Sequence, residues 1–428
     1  MSRLRRSLAH GSYSTLLRLL KPAYVLRLWW RGRAEPMYRH AIGERLGAYQ
    51  GEPTAGWVWV HAVSLGETRA ASALVDALRE AQPDLRLLLT HSTATGREAG
   101  LALLREGDRQ AWLPYDTPGV VNRFFRQFRP AVGVLMETEI WPNLLHAARR
   151  FGVPMLLANA RLSDKSQQKG QRLQAVLHPA VESLTLVLAQ TEADAQRLRA
   201  SGAKSVEVCG NLKFDVNPEP ALLERGRAWR RASERAVVLA ASTREGEEAA
   251  LLAAWRALPN PPRLLIVPRH PQRFDEVAAL VAQAGFTLDR RSRWGDAPDA
   301  QALAAAVWLG DSMGEMPLYY ASADVALLGG SFAPLGGQNL IEAAACGTPV
   351  VMGPSTFNFA EAAERSIAAG AALRVADMAE GVARAIELAS GPALERAVRD
   401  AQRFAGQHRG AARRMADRVL EAMRAAAR

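Results

Sequence analysis

The chain has 428 residues, 49% hydrophobic and 23% charged, which suits two globular domains and excludes a disordered or fibrous polymer. Lys and Arg number 54 against 43 Asp and Glu, and a formal net charge of +11 suggests nucleic acid or an anionic surface as a partner. Cys209 and Cys346 stand in no metal-ligand or redox spacing, which excludes a disulfide-stapled secreted protein and makes a reducing cytosolic setting the default.

In chain order, the first element carries much of that charge. Residues 1–33 hold eight basic side chains (Arg3, Arg5, Arg6, Arg18, Lys21, Arg27, Arg31, Arg33) and no acidic one. Residues 403–428 hold seven Arg against Asp417 and Glu421, a net of +5, so residues 34–402 carry only −2. A near-neutral body without aromatic–basic interleaving argues against a nucleic-acid-binding module. Segment 13–30, YSTLLRLLKPAYVLRLWW, is interrupted by Arg18, Lys21 and Arg27. It offers no run of roughly 20 apolar residues for a spanning helix, and no small-residue cleavage site follows a clean apolar core. Leucine stripes, cations and the pair Trp29–Trp30 predict an amphipathic helix within residues 1–34 that lies on anionic lipid. The ordinary alternative is a helix that covers the first domain.

From residue 57, short apolar runs alternate with helical patterns. The strand candidates are Trp57–Ala62, Leu85–Thr90, Ala131–Met136, Val153–Ala158, Leu184–Ala189 and Ser205–Cys209 in the first half. In the second half they are Ala236–Ala241, Arg263–Val267, Ala305–Leu309, Asp324–Leu328 and Thr348–Met352. Between them, spacings such as Ala71, Leu74, Val75 and Leu78 mark one helical face. Continuous apolar strands alternating with helices imply parallel sheets covered on both faces. The stretch GNLKFDVNPEP (210–220) reads as a hinge. The fold class is therefore α/β, two doubly wound Rossmann-like domains (35–210 and 211–402) with a cleft between them, followed by a basic segment at 403–428.

One pattern recurs where strands give way to helices. Ser64–Glu67, Ser242–Glu245, Ser312–Glu315, Thr191–Asp194 and Asn339–Glu342 all have the spacing of a capping box, in which side chains satisfy orphan helix donors. Each acid thus has a structural reading as a cap. The functional alternative is that these turns lie at the carboxyl ends of parallel strands, where open α/β sheets bind ligands.

The strings HAVSLGETRAA (61–71), METEIWPNLL (136–145), ANARLSDKS (158–166), GNLKFD (210–215), ASTREGEE (241–248), VPRHPQRF (267–274), LGDSMGEM (309–316), GGSFAPLGGQNLIEAAACGTPVVMGP (329–354) and FNF (357–359) occur in that order. Together they closely resemble the 3-deoxy-D-manno-octulosonate (Kdo) transferases of Gram-negative bacteria. The resemblance runs from the basic N-terminal segment to about residue 360. It implies the two-domain glycosyltransferase architecture GT-B, with an acceptor-binding first domain and a CMP-sugar-binding second. It also implies that the basic C-terminal helix packs back on the first domain. The implied activity is inverting transfer of Kdo from CMP-Kdo to a lipid A precursor in lipopolysaccharide synthesis, at the cytoplasmic face of the inner membrane.

What the resemblance implies for single residues begins with Glu67 as general base, at a strand-to-helix corner. Glu137, favoured over Glu139, would orient the acceptor or stabilise cationic character at the anomeric carbon. Lys213 would meet a phosphate or the Kdo carboxylate. On the donor side, Pro268 and Arg269 would hold the CMP phosphate, and Met313, Gly314 and Glu315 would contact phosphate or base. Asn339, Leu340, Ile341 and Glu342 would approach the nucleotide, with Glu342 accepting from ribose hydroxyls. No Asp-x-Asp cluster marks a divalent-cation site, so the expectation is metal-independent transfer with no cofactor. The partners expected are the donor, the lipid acceptor and an anionic membrane surface. The rival readings are a GT-B enzyme using another nucleotide sugar and a basic nucleic-acid-binding module.

Overall fold

The computed structural model describes residues 3–171, 173–407 and 409–427, the side chains of residues 3–6 apart. Met1, Ser2, Arg428 and the side chains of Arg3, Arg5 and Arg6, counted above in the two basic ends, lie outside the described residues. The chain forms two compact units: one runs to Asp215 and takes back the residues from Gly410, and the other is Val216–Arg409.

In the first unit, seven parallel strands, β1 (Val58–His61), β2 (Leu87–His91), β3 (Arg109–Trp112), β4 (Val132–Met136), β5 (Met155–Ala160), β6 (Leu186–Ala189) and β7 (Val206–Val208), stand in the order β3-β2-β1-β4-β5-β6-β7. Alternation along β1 explains the two cores. Trp57 and Trp59 point to one face, against Phe124, Phe125 and Phe128, while Val58 and Val60 point to the other, against Leu74, Val75 and Leu78 of helix Leu65–Ala81. The chain direction across the sheet reverses between β1 and β4, and the crevice at their carboxyl ends is where such sheets bind ligands.

The last helix, Ala411–Ala426, belongs to this first unit. Met415, Val419 and Leu420 are buried in the same cluster as Leu74, Val75 and Leu78. Asp215 fixes its start by accepting from the N–H groups of Gly410 (2.8 Å) and Ala412 (2.7 Å), where a carboxylate also complements the helix dipole. Arg414 donates to the Cys209 carbonyl, and Arg418 pairs with Glu207 at 2.8 Å.

The first helix, Arg3–Arg31, is docked by Tyr13, which donates to Asp116 (2.9 Å), by Ser14, which donates to Asn143 (2.8 Å), and by Leu28, which is buried beside Tyr38. Leu8, Leu16, Leu19, Leu26 and Trp30, spaced to share one helical face, are exposed. This helix therefore covers the first unit and also presents an apolar stripe. No helix among the described residues is long and apolar enough to cross a membrane.

The second unit holds β8 (Val237–Thr243), β9 (Arg263–Pro268), β10 (Leu288–Arg290), β11 (Val307–Leu309), β12 (Val325–Leu328), β13 (Val350–Met352) and β14 (Ala372–Arg374), in the order β10-β11-β9-β8-β12-β13-β14, again all parallel. Its direction reverses between β8 and β12. The expected pair of doubly wound parallel sheets is thus observed. Three strands escaped the sequence reading, namely β3, β10 and β14. All are sheet edges, and Arg109-Gln-Ala-Trp, Leu288-Asp-Arg and Ala372-Leu-Arg lack the apolar run that burial on both faces demands.

Candidate functional site

The reversal point of the first sheet gathers three carboxylates. Glu67 follows β1 in the first turn of helix Leu65–Ala81. Ser64 caps that helix by accepting from the Glu67 N–H, and Glu67 Oε2 reaches back to accept from the Val63 N–H at 2.8 Å. This is a capping box shifted by one residue, since the N–H taken by Glu67 belongs to Val63 and not to the N-cap Ser64. It occupies one carboxylate oxygen firmly, whereas Oε1 receives only the Ser64 hydroxyl at 3.3 Å. A cap and an available oxygen coexist on one side chain. Burial raises the Glu67 carboxyl above its ordinary value, with the charge of Glu137 adding to the rise and the Val63 N–H, Ser64 and Lys213 opposing it.

Glu137 follows directly on β4 with a left-handed backbone, φ 56°, a conformation rarely adopted by residues other than glycine and costing of order 1–3 kcal/mol where it occurs. Its buried side chain accepts from Arg161 Nε at 2.9 Å and pairs with Lys213 Nζ at 3.3 Å. Lys213 is placed by a polar chain. Asn211 Oδ1 accepts from the Lys213 N–H, Gln190 accepts from Asn211, and Asn159, itself at φ 52°, accepts from the Leu212 N–H. Arg161 escaped the sequence reading. Its signal was the ANARL string, with Arg161 following directly on the end of β5.

Glu139 is held differently from Glu137. It accepts from the Trp141 indole at 2.8 Å and has no arginine or lysine partner among the described residues, so burial pushes its carboxyl up to about 7, helped by repulsion from Glu67 and Glu137. His61, 3.9 Å away, is buried and pushed down to about 3 by that burial, so it stays neutral and forms no ion pair with Glu139. A folded-state value of about 7 against an ordinary 4.5 means that the native protein keeps a proton that the unfolded chain has lost. The Glu139 contribution to stability is therefore full below the unfolded value and falls as pH rises through this window. Glu139→Gln is expected to flatten the pH dependence of the first unit's melting temperature between pH 4.5 and 7, measured by calorimetry; an unchanged slope contradicts this.

Next to these groups lies a cavity of about 350 Å³, with Glu137 and Arg161 on a wall that continues through Ile140, Leu157, Leu162 and Leu177. Among the described residues, no group of three or more His, Cys, Asp or Glu is arranged to hold a metal ion.

In the second unit, the donor-side residues stand at the carboxyl ends of adjacent strands. Pro268 ends β9, and Arg269 follows it, exposed and without an ion pair among the described residues. Met313 is exposed and Gly314 takes φ 78°, but the helix they were expected to open starts only at Met316. Ser312 is not its cap. Glu315 instead receives the Ser312 hydroxyl and pairs with Arg291 and Arg225; against the rise from partial burial, the Ser312 hydrogen bond and then the two arginines hold its carboxyl below the ordinary range. The carboxylate is thus taken up by two arginines, leaving Met313 and the local backbone open.

The expected cap at Ser242 and Glu245 is also absent. Ser242 lies within β8 at φ 56°, and the neighbouring acid Glu247 does the binding, accepting from the N–H groups of Arg244, Gly330 and Phe332. That side chain joins the two loops on either side of the reversal point, and it escaped the sequence reading. Asn339 does cap helix Leu340–Cys346, accepting from the Ile341 N–H at 3.1 Å, and Thr191 caps its helix likewise through the Asp194 N–H. Glu342 takes no part in the Asn339 cap and has no hydrogen bond or ion pair among the described residues; burial raises its carboxyl. Gly336 and Gly337, at φ 85° and 73°, lead into this turn, and a Cβ on Gly336 would stand 2.4 Å from Asn358.

Two parallel doubly wound sheets with these occupied carboxyl edges define a GT-B glycosyltransferase fold, and MurG from Acinetobacter baumannii shares it. The TM-score is 0.55 at 15% identity, over 86% of this chain and 99% of that one. The family model for 3-deoxy-D-manno-octulosonic-acid transferase (kdotransferase) matches residues 40–216. A 3-deoxy-D-manno-octulosonic acid transferase of Bordetella pertussis is 48% identical over 96% of this chain and 98% of its own length. One from Haemophilus influenzae is 34% identical over 95% and 96%. The chain belongs to the Kdo transferase family of glycosyltransferases.

Proposed function

We propose that the chain transfers Kdo from CMP-Kdo to a hydroxyl of the lipid A precursor, with inversion, at the cytoplasmic face of the inner membrane. The observation that carries this reading is the meeting of Glu67, Glu137 and Lys213 at the reversal point of the first sheet. The acceptor hydroxyl oxygen bonds to the anomeric carbon while the bond from that carbon to the CMP phosphate breaks. The hydroxyl proton passes to Glu67, and CMP departs with the bonding electrons. Burial and the Glu137 charge make Glu67 more basic than a solvated carboxylate. Glu137, clamped by Arg161 and Lys213, is held in a fixed position from which it orients the acceptor. In the second unit, the free guanidinium of Arg269 suits the donor phosphate. Backbone at Met313, Gly314 and Glu315 and at Asn339, Leu340 and Ile341 lines the nucleotide, beside Pro268. The desolvated Glu342 carboxylate accepts from ribose hydroxyls.

The test is release of nucleotide from a panel of CMP-Kdo, UDP-hexoses and an ADP-heptose, each with lipid A precursor. Turnover of CMP-Kdo alone is expected, and failure to use it while another donor is consumed sinks the reading.

The exposed Leu and Trp stripe on helix Arg3–Arg31 supports the membrane location. Burying one leucine is worth about 1.5–3 kcal/mol, so Leu16→Asp with Leu19→Asp is expected to weaken partition onto anionic vesicles by more than about tenfold. Flotation that matches the unsubstituted protein contradicts the membrane role.

A further inference from the structure

A second cavity, of about 320 Å³, lies in the first unit between helices Arg3–Arg31 and Pro142–Arg150, and its lining includes His10, Ser14, Arg18, Asn143, His146 and Arg150 but no acid. Two helices build it by simple periodicity. His10, Ser14 and Arg18 follow at intervals of four on one, and Asn143, His146 and Arg150 at three and four on the other, so each set lines one face. Ser14 donates to Asn143 at 2.8 Å and pins the helices together. The His10 and His146 rings lie 5.1 Å apart. His10 Nε2 is buried with no hydrogen-bond partner, and neither Arg18 nor Arg150 has a hydrogen bond or ion pair among the described residues.

We propose that this cavity binds a phosphate group, through Arg18, Arg150 and the two histidines. Unpaired arginines and imidazoles facing one pocket without a counter-charge lack an anion, and phosphate offers several acceptor oxygens to such donors. The neighbouring carboxylate, Asp116, is already engaged by the Tyr13 hydroxyl and the N–H groups of Asn143 and Leu144, so it does not neutralise them. Burial lowers the pKa of both histidines, helped for His10 by the electrostatic influence of His146 and for His146 by Arg150 and Arg149. A bound anion reverses that trend. The apolar stripe runs along another face of this helix than His10, Ser14 and Arg18, so by chemistry alone free phosphate and a lipid headgroup fit equally, and the two sources are separated by the test. None of this depends on the transferase reading.

The test follows the histidine ring proton resonances of the full chain during addition of inorganic phosphate, and then of phosphatidylcholine vesicles with and without phosphatidic acid. Saturable shifts of His10 and His146, with buried His61 unmoved, are expected. Arg18→Ala with Arg150→Ala is expected to weaken the response by at least about tenfold. Both arginines are exposed, so circular dichroism of this variant is expected to match the parent; His146→Asn supplies a second variant with the same expected loss. A response far stronger with phosphatidic acid than with inorganic phosphate assigns the headgroup as the source, and an equal one assigns free phosphate. No saturable shift with either probe, or an undiminished shift in both variants, overturns the proposal.

Discussion

With Glu67 proposed as the general base, Glu67→Gln is expected to lower the turnover number of Kdo transfer by about 10²–10⁴-fold, the range for losing such a group, and to leave the fold intact. The amide oxygen of Gln still accepts from the Val63 N–H, so the helix start survives while the proton acceptor is lost. Glu67→Ala removes both and costs about a further 1 kcal/mol of stability, which separates the two roles. The pH profile adds a second sign. Burial raises the Glu67 pKa, so the wild-type rate falls on the acid side as the carboxyl takes up a proton, and that limb disappears in Glu67→Gln. A Gln variant within about threefold of the wild-type rate would leave Glu67 a helix cap only.

Val419→Asp destabilises the first unit by about 3–5 kcal/mol, the cost of an uncompensated buried charge. Val419 is fully buried on the last helix, in one cluster with Leu74, Val75 and Leu78 of the helix that carries Glu67. For a unit of this size, that cost lowers the melting temperature by roughly 10 °C. Arg424→Ala, exposed near the end of the same helix, leaves melting unchanged. Differential scanning calorimetry checks both. Equal melting of all three proteins would mean that residues after Gly410 contribute nothing to the first unit.

The strands of both sheet centres were legible because burial on both faces demands unbroken apolar runs such as Val132–Met136 and Val237–Ala241. Edge strands carry no such demand: of the four, β7 was legible as a short β-branched run, whereas β3, β10 and β14, each containing an Arg and no apolar run, left no signal. The capping pattern predicted three starts correctly, at Ser64, Thr191 and Asn339, although Glu342 takes no part in the last, and failed at Ser242 and Ser312. There, tertiary partners outbid the local turn: Arg225 and Arg291 took Glu315, and the loop at Gly330 took Glu247. Glu67, Glu137 and Lys213 were legible through ordered motifs, whereas the ion pair between Glu137 and Lys213 was not. Arg161, the Asn159–Gln190–Asn211 chain and the different partners of Glu137 and Glu139 come from strands β4, β5 and β6 lying side by side.

The central claim is tested most directly by incubating the purified protein with CMP-Kdo and tetraacyl lipid A precursor and weighing the lipid product by mass spectrometry. Lipid heavier by whole Kdo units, matched by equal CMP release and abolished in Glu67→Gln, is the predicted result. Unmodified lipid from a folded protein that has been supplied with both substrates would contradict it.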